Sequence, residues 1–220
     1  MPELLHVAIV RLCECDGNLK DLVSRHGRLT ANGRRQAFAA RDRLTNLGIQ
    51  AWFSPNNSAC QETAEILSGG ISVHPADEFR EPPYPQWAGL TQKEVSERWP
   101  EECARYWNPQ LGDADRIIVP GGEPLRVTYG RAKEGLARLY REFRDTGAVG
   151  IVTHGEVFRL LTVGLLGAPL EHLFRLRGRN GAVSIFDFDG QVPKFECINE
   201  TSHLVGLTSQ DVGDRVAKLK

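Results

Sequence analysis

Apolar and polar positions follow two patterns along the chain, and each pattern predicts a different element. Short, nearly continuous apolar runs are typical of strands buried on both faces of a parallel sheet. Apolar residues that recur every three or four positions predict helices with one buried face. The predicted strands are residues 4–10, 49–54, 71–74, 149–153, 182–187 and 194–198. The predicted helices are residues 31–47, 61–67, 93–99, 125–143 and 157–166.

Turn and capping residues separate these segments. Thr30 can cap the first predicted helix and Gly48 can end it. The proline-rich segment 82–85 must be a loop, because proline extends neither helix nor strand. Strands that alternate with helices predict a three-layer α/β/α sandwich around a mostly parallel sheet. We expect a single domain over residues 1–206, followed by a polar tail at 207–220.

Composition narrows the range of functions. The chain has 220 residues, of which 41% are hydrophobic and 25% charged, as in ordinary water-soluble domains. A net charge of −1 provides no positive electrostatic field that would attract nucleic acid or a membrane surface. No segment has the pattern of a membrane span or a signal peptide. We therefore expect a cytoplasmic protein with a small-molecule ligand and no cofactor or metal, and a homodimer stays open. Five scattered cysteines predict reduced thiols.

Polar residues that follow apolar strands mark the candidate site. Arg11 comes directly after the first predicted strand, and His154 follows the strand at 149–153 and precedes a helix. Because ligands of open α/β sheets bind at the carboxyl ends of the strands, we expect both side chains in one crevice. Cys13 and Cys15 lie nearby, either as core fillers or, for Cys13, as a thiolate that Arg11 activates.

Several motifs, in order, resemble the histidine phosphatase superfamily, also called phosphoglycerate mutase-like. The matching segments are residues 9–18, Leu-Thr-Ala-Asn-Gly-Arg-Arg-Gln-Ala at 29–37, Ser-Pro at 54–55 with Glu-Thr-Ala-Glu at 62–65, Trp-Ala-Gly-Leu-Thr at 87–91, Pro-Gly-Gly-Glu at 120–123, Val-Thr-His-Gly-Glu-Val at 152–157, Asn180, and Asn-Glu-Thr-Ser-His-Leu at 199–204. The resemblance covers roughly residues 4–204 and implies the family's α/β sandwich. Arg25-His26-Gly27 copies the first motif's letters but follows no strand, so we expect His26 in a loop before the first helix.

The resemblance also implies where this chain departs from the family. The family's nucleophilic histidine, which becomes a phosphohistidine, is replaced by Leu12, and the glycine after it is replaced by Cys13. A phosphate-binding arginine is missing at Ser58 or Ala59, depending on the alignment. The implied catalytic residues are His154 and Glu81. The implied substrate-binding residues are Arg11, Cys13, Glu14, Asn18, Ser58, Gly155 and Glu156.

Three functions stay open from the sequence. The first is a repurposed enzyme in which Glu81 and His154 perform acid/base chemistry on a polar or anionic small molecule held by Arg11. The second is a catalytically silent protein that acts by binding. The third is a phosphomonoesterase or mutase with Cys13 as an unusual nucleophile. A cluster of Trp and Tyr residues between positions 84 and 107 is either core or substrate wall.

Overall fold

The computed structural model describes residues 4–24 and 27–207. His26 and residues 208–220 of the expected tail lie outside these ranges. The strands are β1 (Leu5–Arg11), β2 (Ile49–Ser54), β3 (Val73–Pro75), β4 (Ala148–Thr153), β5 (Val183–Phe188) and β6 (Pro193–Glu200). The helices are α1 (Asp16–Leu19), α2 (Ala31–Leu44), α3 (Ser58–Ser68), α4 (Gln92–Arg98), α5 (Pro100–Trp107), α6 (Leu125–Phe143) and α7 (Gly155–Leu165).

In the described residues the strands form one sheet in the order β3-β2-β4-β1-β5-β6. The four strands from β3 to β1 are parallel, whereas β5 and β6 are antiparallel to their neighbours. Helices α2 and α3 pack on one face, and α6 and α7 on the other. This arrangement confirms the predicted α/β/α sandwich. No helix in the described part of the chain is long and apolar enough to cross a membrane.

The alternation of side chains along β1 decides what reaches the site. Ala8 and Val10 point into the cluster formed with α2 and α3, whereas Val7 and Ile9 point toward α6 and α7. Leu12 belongs to the α2/α3 cluster, in which Ala59 and Cys60 of α3 also lie. Because neighbouring residues of a strand face opposite sides of the sheet, Arg11 is directed toward α7 instead.

Several predicted boundaries were displaced by local backbone chemistry. Helix α2 ends at Leu44 and continues as a 3₁₀ turn over Thr45–Leu47, and Gly48 takes the left-handed conformation that closes it. Helix α3 begins at Ser58 rather than at 61, because the Asn57 side chain accepts hydrogen bonds from the Ala59 and Cys60 amides. Helices α1 and α5 were not predicted.

Candidate active site

An open cavity lies beyond the carboxyl ends of β1 and β4, with about 750 Å³ of empty space when the open solvent at its mouth is included. Its polar lining residues are Arg11, Asn18, Ser24, Glu81, Gln92, Glu156 and Arg159. Its other lining residues are Leu12, Leu22, Val23, Tyr84, Trp87, Tyr106, Trp107, Gly155 and Phe174. The cavity has the form expected of a small-molecule site, in which aromatic walls surround a few convergent polar groups.

Two buried guanidinium groups meet at the start of α7. Arg11 donates to the carbonyl of Gly178, and Arg159 donates to the carbonyls of Leu176, at 2.9 Å, and Arg177. A side-chain carbon placed on Gly155 would lie 2.9 Å from Arg11 Nε and 3.1 Å from Arg159 Nη1. The glycine therefore lets both guanidinium groups close on the helix end, where the backbone dipole also favours an anion.

Glu81 and His154 are brought together by different elements. His154 follows β4 directly and is the capping residue before α7, and it is only 3% exposed. Its Nδ1 lies 4.0 Å from Glu81 Oε1, while Nε2 lies 3.5 Å from the Cys60 thiol sulfur. The Ser24 hydroxyl donates to Glu81 Oε2 at 2.8 Å. Glu81 lines the cavity, and His154 contacts it from the protein interior.

A second carboxylate, Glu156, is enclosed by tyrosines. The hydroxyls of Tyr84, at 2.5 Å, and Tyr106 both donate to Glu156 Oε2. Burial raises the pKa of Glu156 to about 7, although the two tyrosine hydrogen bonds oppose the shift. Burial and the nearby carboxylate also raise the pKa of both tyrosines well above its usual range. The cavity thus holds a carboxyl group that can exchange a proton near neutral pH.

The structure brings most of the predicted site residues together at one cavity. Arg11, Asn18, Glu81, Gly155 and Glu156 line one cavity, and Leu12 lies in its floor at 2% exposure. His154 joins this group through its contact with Glu81. Asn18 is held by accepting a hydrogen bond from the backbone amide of Cys15.

Three of the predicted substrate-binding residues do not line the cavity. Glu14 accepts from the Thr30 hydroxyl and so joins the first loop to α2. The exposed Ser58 donates to the Gly27 carbonyl at 2.9 Å. Cys13 is completely buried, and burial raises the pKa of its thiol to about 12. Their side chains serve contacts within the fold, which sequence spacing alone does not distinguish from contacts with a ligand.

Sequence reasoning missed Arg159, Ser24 and Gln92. Arg159 had a readable signal, because it lies four residues after Gly155 and therefore on the same side of the helix. Ser24 had none, since it reaches Glu81 through a loop and takes a positive φ of 53°. The aromatic cluster proves to be both core and wall: Trp87 is buried, whereas Trp107 is partly exposed in the cavity.

Comparisons with known proteins agree with this fold. The model of the histidine phosphatase superfamily (branch 1) matches residues 7–201. Phosphoserine phosphatase 1 of Hydrogenobacter thermophilus is 25% identical over 80% of this chain and 82% of its own length. A probable phosphoglycerate mutase, GpmB of Salmonella typhi, is 29% identical over 84% and 86%, respectively.

Solved structures give the same result. Bacillus stearothermophilus YhfR superposes with a TM-score of 0.82 at 25% identity, covering 91% of this chain and 99% of its own. Mycobacterial hydrolase 1, at 21% identity, supports the fold alone, with a TM-score of 0.79 over 90% of this chain and 100% of its own. The chain therefore belongs to branch 1 of the histidine phosphatase superfamily.

Proposed function

We propose that this chain is a repurposed member of its superfamily that works without a phosphohistidine. It would perform acid/base chemistry on a polar or anionic small molecule in the cavity at the end of β1 and β4. The observation that carries the proposal is the position of Glu81, which lines the cavity and contacts His154, above a floor that contains Leu12. An aliphatic side chain in that floor can neither attack phosphorus nor hydrogen-bond a phosphoryl oxygen.

Glu81 is suited to a proton-transfer role. Its Oε2 accepts from Ser24, and its Oε1 faces the imidazole of His154, so the carboxylate is held in one orientation at the cavity. A positioned carboxylate of this kind transfers a proton when a ligand atom comes within about 3 Å. His154, buried at the start of α7, would serve as the neighbouring group that exchanges charge with Glu81 during the reaction.

The properties of Cys13 argue against a cysteine-dependent phosphatase. Nucleophilic attack needs a thiolate, and the pKa of Cys13 near 12 keeps this group a thiol at neutral pH. The side chain is also fully buried and is absent from the cavity lining. A silent binding protein is the remaining alternative, and activity measurements distinguish it from an enzyme.

The test compares wild type with Glu81→Gln, His154→Ala and the exposed control Glu97→Gln. Each protein is incubated with a fractionated metabolite extract, and mass spectrometry follows which compounds disappear or form. We expect wild type and Glu97→Gln to convert the same compound, and Glu81→Gln to be slower by about 100- to 10,000-fold. An aryl phosphate should not be hydrolysed above background by any of them.

Two results would count against the proposal. Aryl phosphate turnover that disappears in His154→Ala would indicate a surviving phosphatase. Wild type that converts nothing, or Glu81→Gln that converts as fast as wild type, would favour the silent binding protein. Circular dichroism of each variant checks that a loss of activity does not reflect unfolding.

A further inference from the structure

The chemical groups around the cavity limit the ligand that the proposed function acts on. Arg11 and Arg159 both approach Gly155, and both are more than nine-tenths buried. Two guanidinium groups so close together at one end of the cavity can hold a single anion through charge-assisted hydrogen bonds. Their planar donor groups match the geometry of a carboxylate or a phosphate.

The two carboxylates that line the cavity favour a bound carboxylate over a bound phosphate. Among the lining residues that the structure describes, Glu81 and Glu156 oppose the charge of Arg11 and Arg159. A phosphate dianion would place a second negative charge beside these acids, and each like-charge contact weakens binding. Leu12 provides no donor, and Ser58 faces Gly27 instead of the cavity. Beside these two acids a monoanion suffers less like-charge repulsion than a dianion, so the lining favours a monoanion over a phosphate dianion.

Part of the cavity wall, next to Arg159, is aromatic. Trp107 and Phe174 have ring centroids 4.8 Å apart, both line the cavity, and both residues are partly exposed. Tyr106 packs edge-on against both rings and keeps this wall in place. Exposed aromatic faces of this kind gain free energy when a flat apolar group covers them.

The distance between the cationic end and the aromatic wall is short. The Arg159 guanidinium lies over the Phe174 ring in a cation-π contact, with its central carbon 5.6 Å from the ring centroid. A ligand that uses both groups must therefore carry its anion only a few bonds away from its ring. Trp87 also lines the cavity, and its buried indole N–H has no hydrogen-bond acceptor within the described ranges 4–24 and 27–207.

We propose that the cavity binds an aromatic monocarboxylate, with the carboxylate between Arg11 and Arg159 and the ring against Trp107 and Phe174. This inference rests on the proposed function, because it assigns the substrate class of the same site. It differs from that proposal in a measurable way, since binding can be detected without turnover.

Isothermal titration calorimetry at pH 7.5 tests the ligand class with five probes. The probe that meets both requirements is 3-phenylpropionate. Its controls are 3-phenylpropanamide, which lacks the charge, propionate, which lacks the ring, phenyl phosphate, which carries the extra charge, and inorganic phosphate. We expect 3-phenylpropionate to bind at least about tenfold more tightly than each control.

Three variants test the assigned residues. Arg159→Lys keeps the charge but loses the planar fork, and we expect binding about tenfold weaker. Phe174→Leu keeps an apolar side chain but removes the ring, and we expect binding about fivefold weaker. Arg175→Gln removes an exposed arginine outside the cavity lining and should leave binding unchanged. Melting temperatures within a few degrees of wild type would show that the folds are intact.

The inference is overturned if either phosphate binds more tightly than the carboxylate, if propionate equals 3-phenylpropionate, or if no probe binds. It is also overturned if Arg175→Gln weakens binding as much as Arg159→Lys. Glu81→Gln separates this inference from the proposed function, because it should bind 3-phenylpropionate at least as tightly as wild type. Carboxylate binding without any turnover would retain the inference and refute the enzyme. Turnover of another compound class would support the enzyme and refute the inference that the site takes an aromatic monocarboxylate.

Discussion

At the scale of single residues, the cavity contains a carboxyl group whose proton is held near neutral pH. Glu156 is 5% exposed, and burial disfavours its charged form more than the hydroxyls of Tyr84 and Tyr106 favour it. Ionising Glu156 therefore costs more free energy in the folded protein than in the unfolded chain. The folded protein is least stable, with respect to this group, when Glu156 is charged.

This linkage predicts how stability depends on pH. Because the pKa of Glu156 rises from 4.5 to about 7 on folding, its contribution to stability falls as pH increases between those values and is constant above them. The total loss is about 3 kcal/mol. Glu156→Gln has no proton to lose, so its melting temperature should fall less than that of wild type between pH 5 and pH 8.

Differential scanning calorimetry at pH 5, 6, 7 and 8 measures this difference. Glu97→Gln, which removes an exposed carboxylate, is the control and should follow wild type. Parallel curves for wild type and Glu156→Gln would mean that the carboxyl group titrates normally and is not confined by the tyrosines.

The sequence pattern predicted those site residues that follow strands of the sheet, and it did not predict those that loop contacts place. Arg11 and His154 follow strands of a parallel sheet, so their position at one edge follows from topology. Glu14 and Cys13 follow the same strand, but their backbone amides donate to the Gln36 side chain of α2 and the Thr63 hydroxyl of α3. No spacing rule reveals these contacts. Ser24 reaches Glu81 through backbone with positive φ, which the sequence pattern does not indicate.

At the scale of elements, α2 is attached to the first loop by one threonine. The Thr30 hydroxyl accepts from the Gly33 amide at 2.9 Å and donates to Glu14, while the Thr30 amide donates to the Glu14 carbonyl. A side-chain carbon on Gly33 would lie 1.9 Å from that carbonyl oxygen. The start of α2 thus packs against the segment that follows β1 and fixes its path.

Removing this cap should lower stability measurably. We expect Thr30→Ala to reduce the free energy of unfolding by about 1–2 kcal/mol, because the Gly33 amide and Glu14 both lose a partner. Thr45→Ala is the matched control, since Thr45 is exposed after the end of α2 and its hydroxyl donates to the Arg41 carbonyl instead of capping a helix start. Urea unfolding measures both, and equal losses would show that Thr30 does not act as a cap.

The elements that the sequence predicted best are those that pack on the sheet. β2 and α6 have their predicted bounds, because their apolar periodicity continues to a clear stop at each end. α5 escaped prediction because it is short and because the spacing of its aromatic residues, Tyr106 and Trp107, suited either core or cavity wall. Pro100, the first residue of α5, is a helix-start signal, but the spacing of apolar residues does not take it into account.

At the scale of the whole molecule, the sheet separates two environments at its carboxyl edge. The α7 side collects the charged groups, namely Arg11, Glu156 and Arg159. The α3 side collects an apolar cluster that includes Leu12, Ala59 and Cys60. Leu12, Cys13 and Ala59 all lie in this apolar packing. The superfamily resemblance places the nucleophile, the glycine after it and, in one alignment, the missing arginine at these three positions. This division argues for a reshaped cavity rather than the loss of one side chain.

A combined variant tests that view. We expect Leu12→His, Cys13→Gly with Ser58→Arg to stay inactive on an aryl phosphate. The arginine would begin from an exposed position directed at Gly27, and the imidazole would replace a leucine that packs with the α2/α3 cluster. A second variant carries Ala59→Arg in place of Ser58→Arg and covers the other alignment, although it introduces a charge into apolar packing and should lower the melting temperature.

Both variants are assayed beside wild type, with melting temperatures to establish that they fold. Phosphatase activity above background that disappears when His154→Ala is added would mean that the scaffold has only lost its nucleophile. In that case the cavity would still be shaped for a phosphoryl group. The carboxylates of Glu81 and Glu156 would then not exclude a dianion from the site of Arg11 and Arg159. Folded variants without activity would instead support a cavity rebuilt around its acids and aromatic wall.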